Sequence, residues 1–90
     1  MRRVRVRVHG RVQGVGFRWS AVETAHALGV RGYVRNLPDG DVEAVVEGEA
    51  AAVERMLDWL RRGPRHAHVT GVTVTDEPYT GEFPDFSISR

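Results

Sequence analysis

Cysteine is absent from the 90-residue sequence, so the chain can form neither a disulfide nor a thiolate metal site. Its apolar runs are short, and none approaches the roughly 20 residues that a membrane-spanning helix requires. The N-terminal residues Met1–Arg3 lead into alternating valine and arginine instead of the apolar core of a signal peptide. We therefore expect one small cytoplasmic domain, residues 1–90, that is neither secreted nor embedded in a membrane.

Lysine is absent as well: all 13 residues of the lysine-plus-arginine count are arginine. Side-chain amides are nearly absent: Gln13 is the only glutamine and Asn36 the only asparagine. Few thermolabile residues are a feature of some heat-adapted proteins, but a GC-rich genome would also favour arginine, so a thermophilic source is one of two open explanations. In a chain that avoids amides, the two that remain are candidates for a chemical role or for a turn that needs them.

Strict alternation of valine and arginine predicts that the chain begins with a half-buried strand, Arg3–Val12. The most regular helical spacing lies between Glu49 and Arg62 and stops at Gly63-Pro64. The other elements follow from helical spacing before Gly29, the turn sequence Pro38-Asp39-Gly40, and β-branched residues near the C-terminus. The predicted elements are strand 3–12, helix 17–28, strand 30–37, strand 41–47, helix 49–62, strand 69–75 and a short last strand carrying Phe86 and Ile88.

This β-α-β-β-α-β order, followed by a short extra strand, is that of the ferredoxin-like or split βαβ sandwich, an α+β fold. It predicts an antiparallel sheet of four to five strands with both helices on one face. The other face should stay open to solvent, and the third strand should lie between the first and the second. Gly71 interrupts the alternation of the fourth strand, which predicts a β-bulge at that point.

Charges on the open face of this sheet bear on possible partners. Neighbouring strands would place arginines opposite carboxylates, and each such pair contributes about 0.2–1 kcal/mol. The arginine stripe, the row of arginines on the first strand, would thus be mostly neutralised within the protein. An RNA-recognition domain of the same topology instead exposes aromatic residues on this face, where they stack on bases. We therefore expect no nucleic-acid partner. The residues concerned are Arg3, Arg5 and Arg7 on the first strand and Asp41, Glu43 and Glu47 on the third.

The segment Gly10–Arg18 passes from the end of the first strand through three glycines to the start of the first helix. Glycine tolerates positive φ angles, so such a turn can direct several backbone N–H groups at one point, and the helix N-terminus adds unpaired N–H groups of its own. Trp19 replaces the third glycine of a dinucleotide fingerprint and no Gly-Lys-Ser/Thr follows, which excludes both common nucleotide-binding loops. A plain strand-to-helix turn is the alternative. However, Arg18 stands where the helix dipole disfavours a cation, which favours a bound phosphate or carboxylate.

Asn36 lies at the end of the second predicted strand, shortly before the turn at Pro38. It could be a turn residue, the commonest use of asparagine in such places, or its amide could hold a water molecule. Proximity to Arg18 would decide between the two. His66 and His68 have a spacing that could chelate a metal, but no third ligand is evident, so we interpret them as surface residues and predict no metal site.

Two segments of the chain resemble the signature motifs of the acylphosphatases. Gly10–Arg18, with the sequence GRVQGVGFR, is similar to the first motif. Gly32–Asn36 (GYVRN), followed by Asp39–Glu43 (DGDVE), is similar to the second. The family's C-terminal half is matched by Gly63-Pro64, Ala67, Val69, Phe86 and Ile88. The resemblance covers essentially the whole chain and implies the two-helix, antiparallel-sheet fold predicted above.

The resemblance also implies a reaction. The substrate would be an acyl phosphate, a mixed anhydride that is hydrolysed to carboxylate and inorganic phosphate without a cofactor or metal. Arg18 would bind the phosphate and Asn36 would position the attacking water, with inorganic phosphate as product or inhibitor. Independently of the resemblance, we expect a monomer with no membrane partner. A regulatory domain of the same topology, or a module of a larger maturation enzyme, is the alternative. The implied phosphate-binding residues are Gln13, Gly14, Val15, Gly16, Phe17 and Arg18.

Overall fold

The computed structural model describes residues 1–90 and contains two helices and one five-stranded sheet. The predicted α+β order is confirmed, and the predicted bounds differ from the observed ones by at most two residues. Neither helix is long and apolar enough to cross a lipid bilayer. The elements are β1 (Arg2–Arg11), α1 (Phe17–Leu28), β2 (Arg31–Asn36), β3 (Val42–Gly48), α2 (Ala50–Arg62), β4 (His68–Glu77) and β5 (Phe86–Ile88).

The strand order of the sheet is β4-β1-β3-β2-β5, so β3 lies between β1 and β2 as predicted. The three pairs β4-β1, β1-β3 and β3-β2 are antiparallel. The fourth pair is parallel, because β5 runs in the same direction as β2, with Gly32 opposite Phe86. The prediction of a wholly antiparallel sheet is therefore wrong at this edge. The reason is that residues 78–85 carry the chain from β4 at one edge of the sheet to the other edge, where β5 begins alongside the start of β2.

One core of 17 buried residues lies between the sheet and the two helices. Alternation buries Val4, Val6 and Val8 of β1 completely, because every second side chain of the strand faces the helices. The apolar stripe of α2 faces the same core through residues spaced at three and four positions. These residues are Val53, Met56, Leu57 and Leu60.

A β-bulge separates the regular part of β1 from the glycine loop. The pairing of β1 with β4 shifts after His9, which faces Gly71, and leaves Thr70 as the extra residue. The bulge predicted at Gly71 is thus confirmed one position earlier. Gly10 follows with a φ of 121°, and a Cβ atom there would lie 2.2 Å from the carbonyl oxygen of His68, so only glycine fits this close approach.

The sheet face opposite the helices is less open than predicted, because residues 78–85 fold over one end of it. The guanidinium of Arg3 lies 5.4 Å from the centre of the Phe83 ring, which in turn packs against Tyr33 at 5.9 Å. Beneath this segment, Glu47 is only 3% exposed. Its carboxylate accepts hydrogen bonds from the backbone N–H groups of Thr80 (3.0 Å) and Gly81 (3.1 Å), which holds the segment in place.

The predicted neutralisation of the arginine stripe is confirmed. Strand β4 adds a carboxylate that sequence reasoning did not include: Glu77 accepts hydrogen bonds from Nε of Arg3 (2.9 Å) and Nε of Arg5 (2.8 Å). The stripe therefore forms an internal ion-pair network instead of an exposed basic surface. The cross-strand pairs join Arg3 to Glu47 (3.2 Å), Arg5 to Glu43 (3.2 Å) and Arg7 to Asp41 (2.9 Å).

We expect replacement of Glu47 by glutamine to weaken both the stability of the protein and its dependence on pH. Burial alone would raise the pKa of Glu47, but hydrogen bonds from Thr80, Arg3 and Gly81 outweigh it and hold the pKa below its ordinary value of 4.5. The stabilisation is therefore complete above the unfolded-state pKa and is lost as pH falls through the lower, folded-state pKa. At neutral pH, Glu47→Gln should cost about 1.5–3 kcal/mol of unfolding free energy, the usual value for hydrogen bonds to a charged group.

Denaturant unfolding of the wild type and Glu47→Gln between pH 7 and pH 3 checks this expectation. The exposed and unpaired carboxylate of Glu49 offers a matched control, and Glu49→Gln should change the unfolding free energy by less than about 0.5 kcal/mol. A Glu47→Gln protein that loses as much stability on acidification as the wild type would contradict the assignment of this pH dependence to Glu47.

Candidate active site

A cavity of about 150 Å³ lies where the ends of β1 and β2 meet the N-terminus of α1. It brings Arg18 and Asn36 together, as the interpretation of Asn36 as a water holder requires. Two glycines of the loop form part of its wall, while the side chains of Gln13 and Val15 lie outside it. The lining residues are Val12, Gly14, Gly16, Phe17, Arg18, Trp19, Asn36 and Ile88.

The glycine loop owes its course to two left-handed residues. Gly14 has a φ of 73° and Gly16 a φ of 76°, a conformation that other residues seldom adopt. A Cβ atom on either glycine would meet no atom within 4 Å, so the backbone angle and not lack of space requires glycine here. Gly16 is also the N-cap of α1, and its carbonyl accepts the first hydrogen bond of the helix from the N–H of Ser20 at 3.1 Å.

Backbone N–H groups around this loop have no partners within the protein. Those of Gln13, Gly14, Val15 and Gly16 donate no hydrogen bond. Helix α1 begins without a side-chain cap and has no acidic residue in its first turn, so no protein group offsets the positive end of its dipole. The loop and the helix start together offer N–H donors and positive potential to an anion.

Arg18 is half-buried at the second position of α1 and makes neither an ion pair nor a hydrogen bond. Its position is unfavourable for a cation, because the helix dipole is positive at this end. This contrasts with Arg3, Arg5 and Arg7, which all have carboxylate partners. The planar guanidinium of Arg18 is therefore free to bind an oxyanion through two N–H groups.

Phe17 fixes the start of α1 in the core. Its side chain is 1% exposed, and its ring packs against that of Trp59 on α2, with 5.2 Å between the centroids. On the same side it lies against Gly63, where an added Cβ atom would come within 2.9 Å of the ring. The helix start beside the cavity is thus held by α2, which fixes the backbone of the neighbouring Arg18.

Asn36 is the last residue of β2 and carries an unusual side-chain atom. Its Oδ1 is buried and accepts no hydrogen bond, and no other buried side-chain nitrogen or oxygen in the protein lacks a partner. An unpaired buried acceptor costs about 1–3 kcal/mol, and such atoms are rare in native proteins unless they serve a ligand or water. Because Asn36 lines the cavity, this oxygen marks the place where a hydrogen-bond donor is expected.

Gln13 connects the two halves of the site. Its side-chain Nε2 donates to the carbonyl of Leu37 (2.8 Å) and to the carbonyl of Asp41 (2.9 Å), at the two ends of the turn that follows Asn36. The same turn is closed by a hydrogen bond from the N–H of Leu37 to the carbonyl of Asp41 (2.8 Å). Sequence reasoning gave Gln13 only a backbone role. The signal for its side chain was that it is the only glutamine of an amide-poor chain.

We expect Gln13→Ala to lower kcat by about ten- to a hundredfold, because a shift of about 1 Å between catalytic groups can cost a factor of that size. The companion variant Gln13→Glu keeps the length of the side chain, removes the N–H donor and adds a negative charge, so it should be impaired at least as much. Steady-state kinetics far below the unfolding temperature separate this effect from global stability. A Gln13→Ala enzyme with lower stability but wild-type kcat would show that the connection matters only for folding.

No protein base lines the cavity. Of the four histidines, His66 and His68 are exposed, while His26 Nε2 lies 3.1 Å from the carbonyl oxygen of Phe86 and His9 Nδ1 lies 2.8 Å from Asp41. None of them, and no carboxylate, is among the lining residues. The structure also contains no group of three or more histidine, aspartate or glutamate side chains arranged to hold a metal ion.

A larger cavity, of about 490 Å³, lies at the opposite ends of β2 and α1, beside Leu28, Arg31 and Ala52. Its one buried charged side chain, Glu47, is already hydrogen-bonded to Thr80 and Gly81. No unpaired buried polar atom faces this cavity, whereas Asn36 faces the smaller one. The smaller cavity is therefore the candidate active site, in spite of its size.

The sequence profile of the Acylphosphatase family matches residues 4–88. The chain belongs to the acylphosphatase family. An acylphosphatase of Methylococcus capsulatus is 54% identical over 90 residues, which cover 100% of this chain and 98% of that one. An acylphosphatase of Rubrobacter xylanophilus is 58% identical over 87 residues, which cover 97% of this chain and 79% of that one.

Solved acylphosphatase structures share the fold. The crystal structure of the Bacillus subtilis acylphosphatase matches with a TM-score of 0.95 and 34% identity over the whole of both chains. The structure of HypF from Thermococcus kodakarensis matches with a TM-score of 0.85 and 33% identity, but the match covers only 12% of that larger chain. The acylphosphatase fold therefore occurs both as a chain of this size and as a small part of a larger protein.

Proposed function

We propose that this acylphosphatase binds the phosphoryl group of an acyl phosphate in the 150 Å³ cavity, between the N–H groups of Gln13–Arg18 and the guanidinium of Arg18. Asn36 then positions the attacking water. One observation carries the proposal: the only unpaired buried side-chain oxygen of the protein, Oδ1 of Asn36, shares a cavity with an unpaired arginine and the loop whose N–H groups are free. An oxyanion and a water molecule would satisfy all three.

The phosphoryl group supplies what each part of the loop lacks. Its oxygens accept hydrogen bonds from the free backbone N–H groups and interact favourably with the positive end of the α1 dipole. Two of its oxygens match the planar fork of Arg18. The backbone N–H groups are fixed by the loop and the helix before the substrate binds, so they stabilise the charge that develops on the phosphoryl oxygens in the transition state without reorganisation.

The chemistry needs no nucleophilic side chain. The water oxygen forms a bond to phosphorus while the bond from phosphorus to the acyl oxygen breaks. The electron pair of the broken bond leaves with the carboxylate. A carboxylate is a good leaving group, so positioning and charge stabilisation are the main requirements of such a transfer. Because no histidine or carboxylate lines the cavity, the proton of the water passes to an oxygen of the substrate's own phosphate.

Hydrolysis of benzoyl phosphate by the wild type in water enriched in heavy oxygen tests this proposal. We expect benzoate and inorganic phosphate as products, with the heavy oxygen in phosphate, at a rate that a chelator does not change. Heavy oxygen in benzoate would mean attack at the carbonyl carbon, and loss of activity with the chelator would mean that a metal takes part. Phosphate binding without any turnover would favour the alternative of a regulatory domain.

A further inference from the structure

Large apolar side chains are exposed at only four places on the protein: Met1, Trp19, Tyr79 and Ile88. Two of the four, Trp19 and Ile88, line the candidate active site. Trp19 is 68% exposed although its neighbours in sequence, Phe17 and Arg18, are largely covered. The loop, Arg18 and Asn36 supply the polar lining of the cavity. Its apolar lining is divided between the buried Val12 and Phe17 and the exposed Trp19 and Ile88, which form its rim.

The volume of the cavity leaves the acyl group outside it. Ligand pockets usually measure about 300–1,000 Å³, whereas this cavity measures about 150 Å³. It has room for a phosphoryl group and the attacking water, and a bulky acyl group has to extend over the rim. The cavity lining contains no charged side chain other than Arg18, so a polar acyl group would find few partners at the rim.

The direction of the reaction places the acyl group on the side of the cavity away from Asn36. In-line displacement sets the leaving carboxylate on the side of phosphorus opposite the water, and therefore away from Asn36. Asn36 is on β2, and Ile88 is on β5, which pairs with β2. Trp19 instead stands on α1, immediately after Arg18, and its exposed side chain lines the cavity.

We propose that Trp19 forms the acyl-binding part of the rim, so that the enzyme prefers acyl phosphates with aromatic or bulky apolar acyl groups to acetyl phosphate. The proposal rests on the proposed function, because it gives a binding place to the acyl group, the part of the substrate that the phosphate cradle (the N–H groups of Gln13–Arg18 and the Arg18 guanidinium) does not hold. An aromatic acyl group that packs on the indole loses its contact with water and gains an offset stacking contact.

The test compares kcat/KM for benzoyl phosphate and acetyl phosphate in the wild type, Trp19→Ala and Trp19→Phe. The ratio of the two values cancels effects on phosphate binding and on chemistry common to both substrates. We expect Trp19→Ala to lower the benzoyl-to-acetyl ratio about tenfold, mainly through KM for benzoyl phosphate, and Trp19→Phe to retain most of the wild-type ratio. Inhibition by inorganic phosphate should stay within about twofold, because the cradle does not include the indole ring.

Tyr79→Ala provides the matched control, since Tyr79 is an exposed aromatic residue that lines the other cavity. It should leave the benzoyl-to-acetyl ratio unchanged. An equal fall of both kcat/KM values in Trp19→Ala, or an unchanged ratio, would overturn the inference while the proposed function stood. Failure of the wild type to hydrolyse either substrate would instead overturn the proposed function.

Discussion

Arg18→Ala is expected to lower kcat/KM for benzoyl phosphate by about a thousandfold or more, the range found when a preorganised group that stabilises an oxyanion or a transferring phosphoryl group is removed. The variant should also bind inorganic phosphate much more weakly. Its stability should not fall, because Arg18 makes no hydrogen bond or ion pair and its charge lies at the unfavourable end of α1. Removing that charge should leave the unfolding free energy equal to that of the wild type or about 0.3–1 kcal/mol higher.

Two further variants make the result specific. Arg18→Lys keeps the charge but loses the planar pair of N–H donors, so it should recover only part of the lost activity. Arg11→Ala removes an exposed and unpaired arginine from the other end of the glycine loop, and it should change kcat/KM by less than about twofold, because an exposed charge is screened by salt. Similar losses in Arg11→Ala and Arg18→Ala would mean that only the general positive field attracts the substrate.

Asn36→Ala is expected to lower kcat by about a hundred- to a thousandfold while inhibition by inorganic phosphate stays close to the wild-type value. The amide positions the attacking water, and a misplaced nucleophile costs a factor of this size, whereas phosphate is held by other groups. The variant should be at least as stable as the wild type, because it removes a buried oxygen that has no hydrogen-bond partner. Steady-state kinetics with phosphate as inhibitor, together with denaturant unfolding, measure all three quantities.

Asn36→Asp serves as the companion variant, because it keeps the size of the side chain and adds a negative charge beside the phosphate. It should weaken phosphate binding by repulsion as well as slow turnover, which Asn36→Ala should not do. Wild-type kcat in Asn36→Ala would exclude a role in positioning the water. Loss of phosphate inhibition in the same variant would show that Asn36 belongs to the phosphate cradle instead.

These two residues share a physical property: each lines the candidate active site and carries a polar group without a partner in the protein. Arg3, Arg5 and Arg7 all have carboxylate partners, and every buried side-chain polar atom except Oδ1 of Asn36 has a hydrogen bond. The expected combination of lost activity and unchanged or higher stability follows from this, because unpaired groups lower the stability of the free protein. It distinguishes residues that serve the reaction from residues that serve the fold, such as Glu47.

Strong local patterns could be interpreted from the sequence alone. The alternation in β1 predicted the buried face of the sheet, because a strand with one buried face has period-two burial. The apolar spacing in α2 and its Gly63-Pro64 stop predicted a helix whose C-terminal bound is correct. The resemblance to the acylphosphatase motifs, and not a local pattern, connects Arg18 with Asn36, and the structure shows that both residues line one cavity.

Other features depend on contacts between distant segments, which no local pattern records. The 78–85 segment has no periodicity, and its position over the sheet follows from hydrogen bonds of Thr80 and Gly81 to Glu47, more than thirty residues earlier in the chain. The parallel pairing of β5 with β2 depends on that same crossing. The side chain of Gln13 finds its acceptors 24 and 28 residues away, so its role could not be predicted from the loop itself.

Titration calorimetry of inorganic phosphate into the wild type, Arg18→Ala and Asn36→Ala tests the central claim, that Arg18 binds the phosphate and Asn36 positions the water. We predict closely similar dissociation constants for the wild type and Asn36→Ala, and no detectable binding by Arg18→Ala at the same concentrations. Equal phosphate affinity in all three proteins would contradict the division of roles, because phosphate would then bind without the arginine that is proposed to hold it.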